Sequence, residues 1–211
     1  MDAPRITALQ HRFIPAPQRS TRLAIVLHGV GDSMDGFEFL PQALGLPWLN
    51  YLLLNAPEPY GPGYAWFDRS NPQPGIADSR AKLDRLFAEL DAAAVPTADR
   101  LLFGFSQGCL MSMDFGLRYG QPLAGIVGIS GHTTFIDRSG AGFSPQAKQQ
   151  AWLVTHGTED TMLPIGRSRT QVQELRALGI PIEWHEFAKG HTLDPERELP
   201  LLIEWIARRW A

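Results

Sequence analysis

Leu101-Leu-Phe-Gly-Phe-Ser-Gln-Gly108 runs from an apolar stretch into a serine flanked by glycines, and the helical-looking stretch Cys109 to Tyr119 follows it. A short, continuously apolar run predicts a strand buried on both faces. Gly104-Phe-Ser-Gln-Gly108 fits G-x-S-x-G between strand and helix, the context in which a sharp turn presents a serine hydroxyl at a helix N-terminus. Both flanking positions need glycine because a Cβ there would clash with neighbouring backbone. The bare pattern arises by chance in roughly one chain in 15 of this length, so the strand before it and the helix after it carry the weight.

Outward from this turn, Leu23-Ala-Ile-Val-Leu27, Tyr51-Leu-Leu-Leu54, Ile126-Val-Gly-Ile129 and Trp152-Leu-Val154 read as further buried strands. Between them the period changes to helical. Leu83, Leu86, Phe87 and Leu90 fall at i, i+3, i+4, i+7, and Val172, Leu175 and Leu178 form a stripe between Pro164 and a stop at Gly179. Leu199, Leu202, Ile203, Trp205, Ile206 and Trp210 suggest a closing amphipathic helix. Alternation of this kind predicts an α/β fold, a mostly parallel central sheet with helices on both faces and a crevice at the carboxyl ends of the strands. Ile6 to Ile14 reads as an antiparallel edge strand turning into the Leu23 strand, since too few residues intervene for a crossover helix. Ala56 to Ala77 and Gly131 to Gln149 read as long loops, functional or mobile.

The 211 residues predict one domain, 1–211, with one core. Apolar residues make up 44% and charged ones 19%, with 11 Phe, 6 Trp and 4 Tyr, which excludes a disordered chain. A formal charge of −3 gives no basic excess, so no nucleic-acid partner is expected. The apolar runs are strand-sized, and no membrane span is expected. The single cysteine, Cys109, closes no intrachain disulfide, and Met1-Asp-Ala-Pro-Arg-Ile-Thr does not read as a signal peptide, so the expected compartment is the cytoplasm. Nothing in the pattern argues for or against a homodimer.

A serine hydroxyl is a weak nucleophile at neutral pH and needs a base, itself oriented by a carboxylate, in the chain order serine, acid, histidine. The strand Ala151 to Thr155 ends in His156-Gly-Thr-Glu-Asp160, and the strand candidate Ile182 to Phe187 ends in Ala-Lys-Gly-His191. Ser106 is therefore assigned as nucleophile, His191 as general base and then acid, and Asp160 as the group that sets the imidazole tautomer. Glu159 and Asp194 compete for the acid, and His185 for the base, although His185 lies within its strand. The backbone N–H groups of Gln107 and Val30, the latter in Leu27-His-Gly-Val-Gly-Asp32, are the expected oxyanion donors, with side-chain identity of less weight at both.

Leu27-His-Gly-Val-Gly-Asp32, Trp66-Phe-Asp68, Gly104-Phe-Ser-Gln-Gly108, His156-Gly-x-x-Asp160 and Gly190-His191 resemble, in order and spacing, the phospholipase/carboxylesterase family of α/β-hydrolases, which includes acyl-protein thioesterases. The resemblance spans Leu23 to His191. It implies a compact serine hydrolase with little or no cap domain, the triad Ser106, Asp160 and His191, and oxyanion amides at Val30 and Gln107. Two departures stand out: Cys109 replaces a usual glycine, and Ser130-Gly-His-Thr-Thr-Phe135 does not look like the apolar acyl-channel segment of the thioesterases.

The remaining candidates divide by environment. Trp66 and Phe67 are expected to wall a substrate pocket, against the plainer reading that they cover a sheet edge. His28 and His156, each before glycine at a strand end, read as backbone braces, and Cys109 as packing. No H-x-x-x-H or H-E-x-x-H spacing occurs, so neither metal nor other cofactor is expected. The expected activity is that of a serine carboxylesterase acting on small to medium acyl esters or thioesters. The alternatives are a non-catalytic binding module on the same fold, or a peptidase or acyltransferase using the same triad.

Overall fold

Residues 1–132 and 140–211 are described by a computed structural model. Among them the elements are, in chain order, β1 (His11–Ile14), β2 (Leu23–Leu27), α1 (Leu40–Leu44), β3 (Asn50–Leu54), β4 (Glu58–Tyr60), β5 (Gly63–Ala65), α2 (Pro72–Ala92), β6 (Arg100–Phe105), α3 (Gln107–Arg118), β7 (Gly125–Ile129), β8 (Trp152–Gly157), α4 (Ile165–Ala177), β9 (Ile182–Phe187) and α5 (Glu198–Ala207). Seven strands form one sheet in the order β1-β3-β2-β6-β7-β8-β9, parallel throughout except for β1.

The apolar strands are buried on both faces because helices cover both. Leu23, Ile25 and Leu27 of β2 point into a core shared with Leu83, Leu86 and Phe87 of α2, Met113 of α3 and Val172 and Leu175 of α4. The alternate residues Ala24 and Val26 point into a second core with Leu40 and Leu44 of α1 and Leu202, Trp205 and Ile206 of α5. This is the period-two pattern of a strand expressed in an apolar-on-both-sides sequence. α4 ends as its sequence suggests: Gly179 has φ +87°, its N–H bonds the Arg176 carbonyl, and the Ile180 N–H bonds that of Leu175.

Strand order places the functional end of the sheet. From β2 the chain winds outward to β3, then returns past β2 to build β6 to β9 on the other side, so the order reverses between β2 and β6. Leu27 pairs with Gly104, and Phe105 with Ile129, which brings the carboxyl ends of β2, β6 and β7 side by side. A crevice opens at such a reversal because the following loops diverge to opposite faces.

Three expectations change. The first strand is shorter than Ile6 to Ile14 and pairs antiparallel with β3, Ile14 against Tyr51, rather than with β2. Pro15 and Pro17 end it, and the connection runs past β3 before entering the sheet, while Ile6 and Leu9 are buried without strand pairing. Ala56 to Ala77 is not loop throughout: it holds the β4–β5 hairpin, turning at Gly61 with φ +57°, and the start of α2, where Pro72 takes a first-turn position that needs no N–H donor. Of Gly131 to Gln149, residues 133–139 lie outside the described residues, including part of the segment that departs from the thioesterases. After Gly140 the chain forms a short helical turn, Pro145–Lys148, capped by the Ser144 hydroxyl.

Candidate active site

Ser106 ends β6 in a conformation that few residues other than glycine adopt, φ +55° and ψ −114°. Strain of this kind costs about 1–3 kcal/mol and persists only where the surroundings impose it. The imposition is visible here. The Ser106 N–H donates to Ile129 at 2.9 Å, extending the β6–β7 ladder by one residue, and α3 starts at once. A Cβ on Gly104 would overlap the Gly108 carbonyl, and one on Gly108 would overlap that of Leu27. The two glycines thus let α3 lie directly on β6 and β2.

Asp160 follows β8, and His191 follows β9. His191 Nδ1 lies 2.7 Å from Asp160 Oδ2, and its Nε2 lies 3.0 Å from Ser106 Oγ. The second Asp160 oxygen accepts from the amides of Met162 at 3.0 Å and Leu163 at 2.8 Å. Burial alone would raise the Asp160 carboxyl, but the Leu163 amide, the His191 hydrogen bond and the neighbouring His191 and His156 rings outweigh it and hold the group below its ordinary value. An ionised Asp160 fixes the proton of neutral His191 on Nδ1 and turns the Nε2 lone pair to the serine. The competitors are occupied elsewhere or point away. Glu159 is exposed, Asp194 accepts from the Glu196 and Arg197 amides, and His185 meets Glu183 at 2.9 Å.

Both loops are tied down by buried polar groups. His156, fully buried, meets the Leu163 carbonyl at 2.8 Å through Nε2, closing the turn that supports Asp160, and burial lowers its pKa. Two residues before His191, the Lys189 ammonium meets Glu198 Oε2 at 2.5 Å, and the same oxygen accepts the Asp194 amide at 3.0 Å. These two buried charges hold the His191 loop against the start of α5.

The loop after β2 is braced by His28. Its Nε2 accepts from the Ala56 amide at 3.0 Å, so its proton lies on Nδ1, which faces the Gly29 carbonyl at 2.5 Å. Among the described residues the Val30 amide carries no internal backbone hydrogen bond, and the amide of Gln107, first in α3, has no partner within the helix by position. Both residues line the same cavity as Ser106 and His191.

The side chain at 107 carries more weight than the sequence suggested. Gln107 Oε1 accepts from the Trp66 amide at 2.9 Å, and Nε2 donates to the Phe67 carbonyl at 2.8 Å, clamping that segment to the elbow. Trp66 itself is 0% exposed, its indole N–H on the His28 carbonyl at 2.9 Å, and only Phe67 of the pair reaches the cavity. A buried tryptophan needs a partner for its N–H, and the strand-end carbonyl supplies one.

The cavity measures about 220 Å³ and is lined also by Leu110, His132, Met162, Leu163, Arg69 and Arg167. The sequence reading missed all four of Leu110, His132, Arg69 and Arg167; only Leu110, one helical turn after Ser106, carried a spacing signal that could have found it. Burial, with Arg167 and His156 nearby, pushes His132 down to about 4, so it is neutral at pH 7. Cys109 lies beneath the site, fully buried, and burial raises its thiol to about 12, which leaves no thiolate to compete with Ser106. Among the described residues no cluster of His, Cys, Asp or Glu could hold a metal, and no helix is long and apolar enough to cross a membrane.

Comparison with known proteins places this geometry. The acyl-protein thioesterase 1 of Schizosaccharomyces pombe is 30% identical over 200 residues, covering 83% of this chain and 86% of the relative. A rice protein described as a probable inactive carboxylesterase is 26% identical over 216 residues, covering 92% and 88%. The crystal structure of Arabidopsis thaliana SOBER1 superposes with a TM-score of 0.84 over 92% of this chain and 100% of that one, at 22% identity, a likeness of fold. The phospholipase/carboxylesterase family profile matches residues 9–208, a span that takes in the elbow, both loops and every strand of the central sheet, and the chain belongs to that family of serine hydrolases.

Proposed function

We propose that this protein hydrolyses carboxylic esters, and thioesters by the same steps, through an acyl-enzyme on Ser106. The observation that carries the reading is the unbroken chain of hydrogen bonds from Asp160 through His191 to Ser106. His191 Nε2 takes the hydroxyl proton as Ser106 Oγ attacks the carbonyl carbon, and the oxyanion turns to the amides of Val30 and Gln107. Each such donor contributes about 10²–10³ in rate. The tetrahedral species collapses, His191 hands its proton to the leaving alcohol or thiol, and water, deprotonated by His191, then releases the acid and restores Ser106. Phe67 walls the acyl side, with Trp66 and Gln107 holding it in place. A reducing cytoplasm suits the lone buried thiol.

The test is a fluorophosphonate probe with intact-mass and peptide mapping, run beside Ser106→Ala. Labelling confined to Ser106, and loss of ester turnover in the variant, is the expected result. An unlabelled but folded protein would instead favour the binding-module reading, for which the rice relative described as a probable inactive carboxylesterase is a precedent.

A further inference from the structure

We infer that His132 is a specificity-determining residue: its Nε2 faces the Ser106 cavity as a bare hydrogen-bond acceptor and selects a short acyl group that carries a hydroxyl. This rests on the esterase reading above.

The tautomer follows from two hydrogen bonds. Ser168 Oγ donates to the Gly131 carbonyl at 3.0 Å, which uses its only proton. It can then only accept from His132 Nδ1, 3.4 Å away, so Nδ1 carries a proton. Burial, with Arg167 and His156 nearby, lowers the ring to about 4, and a neutral ring has no second proton for Nε2. Ser168 is fully buried, so Nδ1 points into the protein while His132 lines the cavity, which leaves Nε2 as the nitrogen turned to substrate. Among the described residues no hydrogen bond reaches it. A plain hydrocarbon chain leaves that lone pair unpaired, and an ether oxygen meets it lone pair to lone pair. A hydroxyl donates to it.

The two imidazoles approach from opposite faces of the sheet. The His191 ring lies 5.0 Å from that of Phe105, which packs with the core under α1 and α5. His132 hangs on Ser168 of α4, a helix whose Val172 and Leu175 enter the other core. The leaving oxygen must stay beside His191 Nε2 to receive the proton taken from Ser106, so the substituent that reaches toward His132 is the acyl group. Leu110, Leu163 and Phe67 wall the same cavity of about 220 Å³, an apolar setting for a short chain with one polar group.

The experiment compares kcat/KM for ethyl β-hydroxybutyrate, for ethyl isovalerate, in which a methyl replaces the hydroxyl, and for ethyl β-methoxybutyrate, which keeps the oxygen but has no proton to donate. A longer pair, the ethyl esters of ω-hydroxyhexanoic and heptanoic acids, carries the hydroxyl further from the carbonyl. Hydroxypropyl butyrate against butyl butyrate puts it on the alcohol instead. The expected result is a preference of about tenfold for the acyl hydroxyl over its methyl isostere in at least one acyl pair, with no gain for the methoxy ester and none on the alcohol side. His132→Phe removes the preference. Ser168→Ala frees the tautomer and lets the methoxy ester gain on isovalerate. No preference in either acyl pair, or one that survives His132→Phe, would overturn the role of His132. Equal rates for the hydroxy and methoxy esters would assign the oxygen to a donor and overturn the acceptor. A preference confined to the alcohol would overturn the orientation, and an unchanged methoxy ratio in Ser168→Ala would overturn the tautomer, all four leaving the esterase reading intact. Failure to turn over any ester, with no probe labelling at Ser106, would overturn the reading on which this rests.

Discussion

Ser106 and His191 stand 3.0 Å apart but are held there by unlike means. The serine is wedged between apolar strands and a helix, its strained backbone enforced by two glycines with no room for a Cβ. Asp160 and His191 sit on loops outside the sheet, secured by polar groups: two amides on Asp160, His156 on Leu163, and Lys189 on Glu198. Packing fixes position whatever the pH, whereas a network of charges and imidazoles fixes it only in one protonation state. One fold therefore carries a serine set by shape and a histidine–carboxylate pair set by electrostatics.

If that contrast holds, damage to the two regions should look different. Asp160→Asn should lower kcat by up to about 10⁴, equivalent to about 5.5 kcal/mol, by imposing the wrong tautomer on His191, with a much smaller loss of thermal stability from the missing carboxylate charge. Steady-state kinetics and a melting curve on the same sample check it, and a loss below about tenfold would mean another carboxylate orients the base. Gly108→Ala should act in the opposite sense, costing at least about 4 kcal/mol of folding stability in a denaturant titration, because the new methyl meets the backbone of β2 rather than a side chain that could move. A well-folded, active Gly108→Ala protein would break the steric account of the elbow.

Smaller effects test the polar side. Glu198→Gln leaves the Lys189 ammonium buried without its anion and should cost about 3 kcal/mol, while Lys189→Met with Glu198→Leu recovers most of it. Acid should erode stability gradually. Burial lowers the pKa of His28, His132 and His156, so between about 6.5 and the lower folded values the unfolded chain binds more protons, and stability falls as pH falls. For the fully enclosed His28 and His156 the loss at pH 5.5 is at most about 1.4 kcal/mol each. Asp160 adds to it lower down, its contribution vanishing as pH drops through its depressed folded value. Melting temperatures from pH 7 to 4 should decline, and His28→Gln should flatten the slope; a flat wild-type profile would contradict burial of neutral imidazoles.

Legibility followed the range of the forces involved. The central strands and the stripes of α2, α4 and α5 were readable because a period of two or 3.6 is imposed by neighbours along the chain. The meeting of Ser106, Asp160 and His191 was readable because each follows a strand within five residues, and strands in a parallel sheet deliver their carboxyl ends to one edge. The β4–β5 hairpin was missed because Glu58–Tyr60 and Gly63–Ala65 are three residues each, too short to show alternation. The weight of the Gln107 side chain was missed because its partners, Trp66 and Phe67, lie some forty residues away.

By itself, then, the sequence determined the α/β alternation, the sharp turn at Ser106 and the placement of a carboxylate and a histidine after later strands, since all are set by local sterics and period. Only the tertiary structure decided that β1 joins β3, that Trp66 turns inward while Phe67 faces the cavity, and that His132, Arg69 and Arg167 line one cavity with Ser106. Those outcomes depend on which distant surfaces pack together, and packing is settled by the whole core at once rather than by any stretch of chain.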